Sequence, residues 1–222
     1  MKKIINILIL TFLLASFNSH AESLELSGSS YILMDEVSGR VLVDKKAHNK
    51  MPMASTTKIM TALIALEEGN ILKDIKIDSH STDIEGSSIY LEKDEVISLK
   101  DLLYGLMLRS GNDSAVAIAR AVGLNEENFV AKMNRKSQDI NAINTNFTDP
   151  HGLGSDNHYS TSYDLALITR EALKHKEFQE IFSTKEYRAN REKNNYFINK
   201  NKTLWEYDGG DGGKTGYTMT SG

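Results

Sequence analysis

Three short stretches carry side chains that could work on one bond. The first is Ser55-Thr56-Thr57-Lys58. A serine hydroxyl is a weak nucleophile until a base takes its proton. Lys58 lies one helical turn on, on the same face as Ser55, and a neutral amine there can be that base. Burial among apolar residues, a helix N-terminus or a second cation would each lower the lysine pKa enough. The second stretch is Ser110-Gly111-Asn112. A helix stop followed by an N-cap accounts for it with no chemistry. Alternatively, Ser110 is a second hydroxyl for moving a proton, and the Asn112 amide bonds both a lysine and a substrate carbonyl. The third is Lys214-Thr215-Gly216, after the glycine-rich run Asp208 to Gly213. It offers a cation and a hydroxyl to an anionic group, with Gly216 permitting close backbone approach.

Singly these are weak signals, because an S-x-x-K spacing arises by chance roughly once in a chain of this size. All three in this order, each in a plausible setting, are expected on the order of once in a thousand chains. Gly212-Gly213-Lys214-Thr215 also imitates the end of a phosphate-binding loop. The first glycine of that pattern falls on Asp208, however, and no helix pattern follows Thr215.

These residues need elements to hold them. Tyr31 to Val37 and Arg40 to Asp44 read as two strands joined at Ser38-Gly39. From about Thr56 to Glu68 the pattern is a helix with almost no polar face, which belongs inside a core. Ser98 and Asp101 box the start of an amphipathic helix through Leu99, Leu102, Leu103, Leu106 and Met107. Asn112 is placed to cap the next helix, which Gly123 ends. Another helix starts near Glu126, and a further one, boxed by Thr161 and Asp164, ends near Lys174. Lys185 to Ala189, Tyr196 to Ile198 and Lys214 to Met219 then read as strands. Strands, helices and strands again predict an α/β fold: one mixed sheet built from both chain ends, with a helical insertion over about 70–182.

Composition narrows the function. The chain has 222 residues, 40% hydrophobic and 25% charged, with net charge −4 and no cysteine. That excludes disulfides, thiolate metal sites and a cysteine nucleophile, and the acidic balance disfavours nucleic acid as a partner. His151 and His158 sit in a polar loop without a helical zinc spacing and read as loop residues. Lys2 and Lys3, an apolar run from Ile4 to Phe17, and Ser19-His20-Ala21 form a secretory signal peptide over 1–21. The apolar run is short of the ~20 residues a spanning helix needs. Residues 22–222 are therefore the expected mature catalytic unit, exported to periplasm, wall or medium, with 24 basic against 30 acidic residues.

The sequence resembles the serine-type D-alanyl-D-alanine carboxypeptidases, low-molecular-mass penicillin-binding proteins of the DD-peptidase/β-lactamase superfamily. The resemblance runs over about residues 28–222. Besides the three motifs it rests on Met53 to Leu63, Gly86 to Leu91, Leu102 to Asp113, Pro150-His151-Gly152-Leu153 and Asp211 to Thr218. The middle motif is Ser-Gly-Asn rather than the Ser-Asp-Asn common in class A β-lactamases, and no clear deacylation acid stands in a loop resembling theirs.

The resemblance implies that Ser55 attacks the carbonyl between two D-alanines of a peptidoglycan stem peptide and that Lys58 takes the serine proton. Ser110 relays a proton to the leaving amine, and Asn112 holds Lys58 and the substrate amide. Lys214 and Thr215 bind the terminal carboxylate, and the charge of Lys214 helps keep Lys58 neutral. The N–H groups of Ser55 and Tyr217 form the oxyanion hole beside Gly216. β-Lactams are the implied inhibitors, and the resemblance implies that no metal or organic cofactor is needed. The family pattern continues past the Lys214 strand with two more strands, a closing helix and often a C-terminal membrane anchor. Here the sequence reaches Thr220-Ser221-Gly222, so those C-terminal strands and the anchor are expected to be missing. A non-catalytic remnant that binds wall peptide or penicillin, or a class A-like β-lactamase, is the alternative reading.

Overall fold

The computed structural model describes residues 26–154 and 156–219. The signal peptide over 1–21 lies outside them. The molecule is organised around α1 (Lys58–Glu68), entered through a 3₁₀ turn at Ala54–Thr57. Ile59, Met60, Ala62, Leu63, Ile64 and Ala65 are all buried, as a helix apolar on every side requires. Around it pack α2 (Leu99–Leu108), α3 (Asn112–Gly123), α4 (Glu126–Asp139) and α5 (Ser162–Ala172), with α6 (Lys176–Ser183) laid against α1 and α2. A short α7 spans Thr203–Glu206.

The helix starts follow their sequence signals. Ser98 Oγ accepts from Asp101 N at 3.0 Å and Thr161 Oγ1 from Asp164 N at 3.0 Å. Each bond satisfies a backbone donor that the first turn leaves free. Asn112 does otherwise. Gly111 is the N-cap of α3 and Asn112 its first helical residue, with its side chain turned into the protein interior. Helix α6 and the pair β3 (Asp74–Lys76) and β4 (Val96–Ser98) were not anticipated. The apolar spacing of Phe178, Ile181 and Phe182 was the available signal for α6.

The strands form three separate antiparallel pairs among the described residues, which corrects the expected single mixed sheet. The N-terminal hairpin is β1 (Tyr31–Met34) with β2 (Val41–Lys45), turned by Gly39 N–H donating to Asp35 O. The third pair is β5 (Glu186–Arg188) with β6 (Tyr196–Ile198). Residues 214–217 are extended but make no ladder, and only Thr218 forms a bridge. A strand needs a neighbour for its N–H and C=O groups. No described strand pairs with this segment, and its Gly216 lies against the start of the α1 turn.

Candidate active site

Ser55 sits inside the 3₁₀ turn that leads into α1. Its predecessor Ala54 holds φ +46°, a left-handed conformation unfavourable for a residue with a Cβ. Such strain persists only where surrounding contacts impose it. One of these is Gly152 at φ +95°, where an added Cβ would stand 1.9 Å from Ala54 O, so no other residue fits.

Lys58 is completely buried, with 0% of its surface exposed. Its Nζ stands 3.1 Å from Ser55 Oγ, 2.7 Å from Asn112 Oδ1 and 2.6 Å from the carbonyl oxygen of His151. The amide oxygen and the carbonyl can only accept. They take two N–H groups of the amine, and the third tetrahedral direction points at the Ser55 hydroxyl. In a neutral amine that direction is the lone pair. Burial and the nearby Lys214 charge push Lys58 well below the usual lysine range, with a further push from Lys200, while Asp149 and Asp113 pull the other way.

Ser110 and Asn112 enter from the tight turn between α2 and α3. Ser110 has φ +61° and accepts from Lys214 Nζ at 3.1 Å. Asn112 Nδ2 donates to Glu85 O at 2.6 Å, and its backbone N–H donates to Ser87 O at 2.7 Å. The same loop is strapped by buried Asp113, whose carboxylate accepts from Ile89 N, Leu91 N and Ser88 Oγ. Asn112 therefore holds Lys58 because the loop at 85–91 holds Asn112.

Lys214 completes a ring of side chains around Ser55. Burial and the Lys200 charge lower its pKa to about 7. Gly216 lies directly on the nucleophile turn, where a Cβ would come within 3.0 Å of Ser55 N and 3.1 Å of Met53 O. Thr215 is exposed, and its carbonyl accepts from Lys214 Nζ at 2.5 Å. Tyr217 is 76% exposed. Six of the eight residues singled out by sequence (Ser55, Lys58, Ser110, Asn112, Lys214 and Gly216) thus meet in one cluster, with Thr215 and Tyr217 at its open side.

Several participants were missed. The His151 carbonyl carries no residue-type signal. Asp149 Oδ1 accepts from His151 N at 2.9 Å and Gly152 N at 2.6 Å, fixing the turn that aims that carbonyl. This is an Asx turn legible in Asp-Pro-His-Gly. His158, read as a loop residue, does lie in a loop but is buried against Thr57. Among the described residues no group of three His, Asp or Glu side chains could hold a metal ion.

A buried amine aimed at a serine, with an asparagine and a second lysine–serine pair around it, is an arrangement for acyl transfer through an acyl-serine. Residues 17–222 match the D-alanyl-D-alanine carboxypeptidase family. The chain belongs to that family. It is 36% identical to the D-alanyl-D-alanine carboxypeptidase DacF of Bacillus subtilis, across 97% of this chain and 58% of the relative. It is 33% identical to DacA of Haemophilus influenzae, across 94% of this chain and 57% of the relative. The chain thus spans somewhat over half the length of these curated relatives. Among solved structures, the D-alanyl-D-alanine carboxypeptidase of Mycobacterium tuberculosis superposes with TM-score 0.84 at 32% identity, over 90% of this chain and 78% of that one. A mutant of the Streptomyces K15 DD-transpeptidase gives 0.83 at 30% identity, over 88% and 83%. The fold is that of the DD-peptidases and penicillin-binding proteins.

Proposed function

We propose that the protein is a serine D,D-carboxypeptidase that removes the terminal D-alanine from peptidoglycan stem peptides and is acylated by β-lactams. The observation that carries this reading is the placement of Lys58, buried, with two N–H groups committed to pure acceptors and its third direction on Ser55 Oγ. Ser55 Oγ attacks the carbonyl of the D-Ala-D-Ala bond as its proton passes to Lys58 Nζ. The oxyanion forms between the N–H groups of Ser55 and Tyr217, an interaction of the kind worth about 3–4 kcal/mol per donor. Lys58 returns the proton through Ser110 to the leaving nitrogen, and the C–N bond breaks. Lys214 and Thr215 hold the terminal carboxylate of the departing D-alanine, and Gly216 lets the substrate backbone approach. Water then enters and attacks the acyl carbon as Lys58 takes its proton; the ester C–O bond breaks, Lys58 returns that proton to Ser55 Oγ, and the shortened peptide leaves as its carboxylate.

The site on residues 22–222, with its helical insertion at about 70–182, acts outside the cytoplasm after removal of residues 1–21. No helix among the described residues is long and apolar enough to cross a membrane. The test is D-alanine release from a diacyl-D-Ala-D-Ala peptide, run beside Ser55→Ala. Release by the parent and none by the variant is expected. Equal release by both refutes the assignment.

A further inference from the structure

The loop at 148–158 supplies the His151 carbonyl to the base, and it also sends a second chain of hydrogen bonds to the nucleophile. Thr148 N–H donates to His158 Nδ1 at 3.0 Å, so that nitrogen carries a lone pair. The ring proton is therefore on Nε2, which stands 2.7 Å from Thr57 Oγ1. Thr57 accepts this N–H and donates its own hydroxyl to Ala54 O at 2.7 Å. Thr148 Oγ1 also stands 3.1 Å from Nδ1. With Nδ1 accepting from the Thr148 N–H, each further link runs one way, and the chain ends on the carbonyl of the residue whose strained φ presents Ser55. Thr57 is fully buried and His158 is 5% exposed, so water does not replace either partner.

We propose that His158, acting through Thr57, is a positioning residue that holds the Ala54–Ser55 turn in its reactive geometry. This rests on the acyl-serine reading above. No bond joins the imidazole to Lys58 or Ser55, so it moves no proton in the reaction. Protonation of Nδ1 would break the Thr148 N–H bond that anchors the ring, because the new proton would confront that N–H, while Nε2–H would still face Thr57. The charged or titratable groups facing the ring are Asp149, His151 and Lys58. Asp149 Oδ2 lies 3.4 Å from Nδ1, is buried and has no hydrogen-bond partner, so it favours the imidazolium. Burial, His151 and Lys58 oppose it, and the balance lowers the His158 pKa. Phe147 meets the ring edge-on and adds no charge.

The experiment compares Thr57→Val and Thr57→Ser in the purified protein. Stopped-flow labelling with a fluorescent penicillin separates the acylation rate constant from the preceding non-covalent affinity. Thr57→Val has nearly the same shape but no hydroxyl. It should lower the acylation constant by about 10- to 100-fold, the scale of a small misplacement of a reacting atom, with non-covalent affinity unchanged. Thr57→Ser should recover the parental constant. Parental acylation by Thr57→Val, or a Thr57→Ser as impaired as Thr57→Val, overturns the proposal. If Thr57→Val does not fold, His158→Gln against His158→Leu asks the same question. Glutamine keeps a donor toward Thr57 without titrating and should acylate like the parent, with no loss on the acid side attributable to residue 158. Leucine should not, and equal rates for the two refute the role. A parent that penicillin does not label would refute the acyl-serine reading instead. Imidazole ¹⁵N shifts test the positioning chain independently of activity: the Nε2–H tautomer is expected, and the Nδ1–H tautomer excludes it.

Discussion

Lys58→Arg keeps a positive charge and a long side chain but removes the feature on which the proposed reaction depends. In the structure the amine gives two N–H groups to Asn112 Oδ1 and His151 O and turns its remaining direction to Ser55 Oγ. Burial and Lys214 lower the lysine pKa, so the amine gives up its proton more readily near neutral pH than an ordinary lysine does. An arginine has a neutral fraction of roughly one in a million or less there, and its guanidinium offers no lone pair to a hydroxyl. General-base assistance is worth about 10²–10⁴ in rate. The acylation constant with a fluorescent penicillin should therefore fall by about 10³-fold, equivalent to about 4 kcal/mol on the barrier. The larger head group must also fit a site with no exposed surface. Overpacking of about 1–3 kcal/mol, at about 2–4 °C per kcal/mol, predicts a lower but cooperative thermal melt. Lys58→Ala supplies the complement: small primary amines added to it should restore part of the acylation rate. An arginine variant that melts cooperatively and acylates within tenfold of the parent would refute Lys58 as the base.

Other outcomes follow from the same geometry. Mass spectrometry of the penicillin-labelled protein should find the adduct on the peptide containing Ser55, with none on Ser110, and Ser55→Ala should carry no adduct. Asp113→Ala leaves the Ile89 and Leu91 N–H groups without their buried acceptor. It should cost about 2–6 kcal/mol in urea unfolding at about 1–3 kcal/mol per orphaned group, and it should slow acylation because the loop holding Asn112 loosens. Lys214 is cationic below about 7 and loses its charge above that pH. Affinity for a carboxylate-bearing inhibitor should therefore weaken as pH rises through that range, and Lys214→Arg should abolish this alkaline loss. His158 has a folded pKa below its ordinary 6.5, so the unfolded chain binds more protons there. Stability should thus decline as pH falls below about 6.5, with His158→Gln flattening that limb in thermal melts. Asp149 is held well below the ordinary carboxylate value by His151, His158 and the Gly152 N–H, against burial. Its contribution is retained down to about pH 4 and lost only as pH falls further.

What could be read from the sequence was what depends on residue type over a few positions. The apolar run at 59–66, interrupted only by Thr61, reads as a buried helix, and the Ser98–Asp101 and Thr161–Asp164 spacings can each satisfy free backbone donors at a helix start. The candidate catalytic set could be read for the same reason, since three short motifs each carry their own side chains. The arrangement of strands could not. Whether the segment at 214–217 joins a ladder depends on what lies beside it rather than on its alternation, and among the described residues its neighbour is the Ser55 turn.

Asn112 shows where local reading reaches its limit. By spacing alone it could cap α3, and a side-chain oxygen at that position ordinarily does. Gly111 occupies the cap instead, and the Asn112 oxygen goes to Lys58, 54 residues away in sequence. A buried amine cannot turn to water for acceptors, so its demand outweighs a cap that water or a turn can replace. The His151 carbonyl, 93 residues from Lys58, is still less visible, because a main-chain oxygen is the same in every residue. The legible trace was one step removed: Asp149 and Gly152 are the residue types that fold the chain so that this oxygen faces inward. Replacing Gly152 by alanine would put a Cβ against Ala54 O and strain a positive φ at once. That substitution should disable acylation although it removes no reacting group. A Gly152→Ala protein that acylates normally would show that the base can be aimed without this turn.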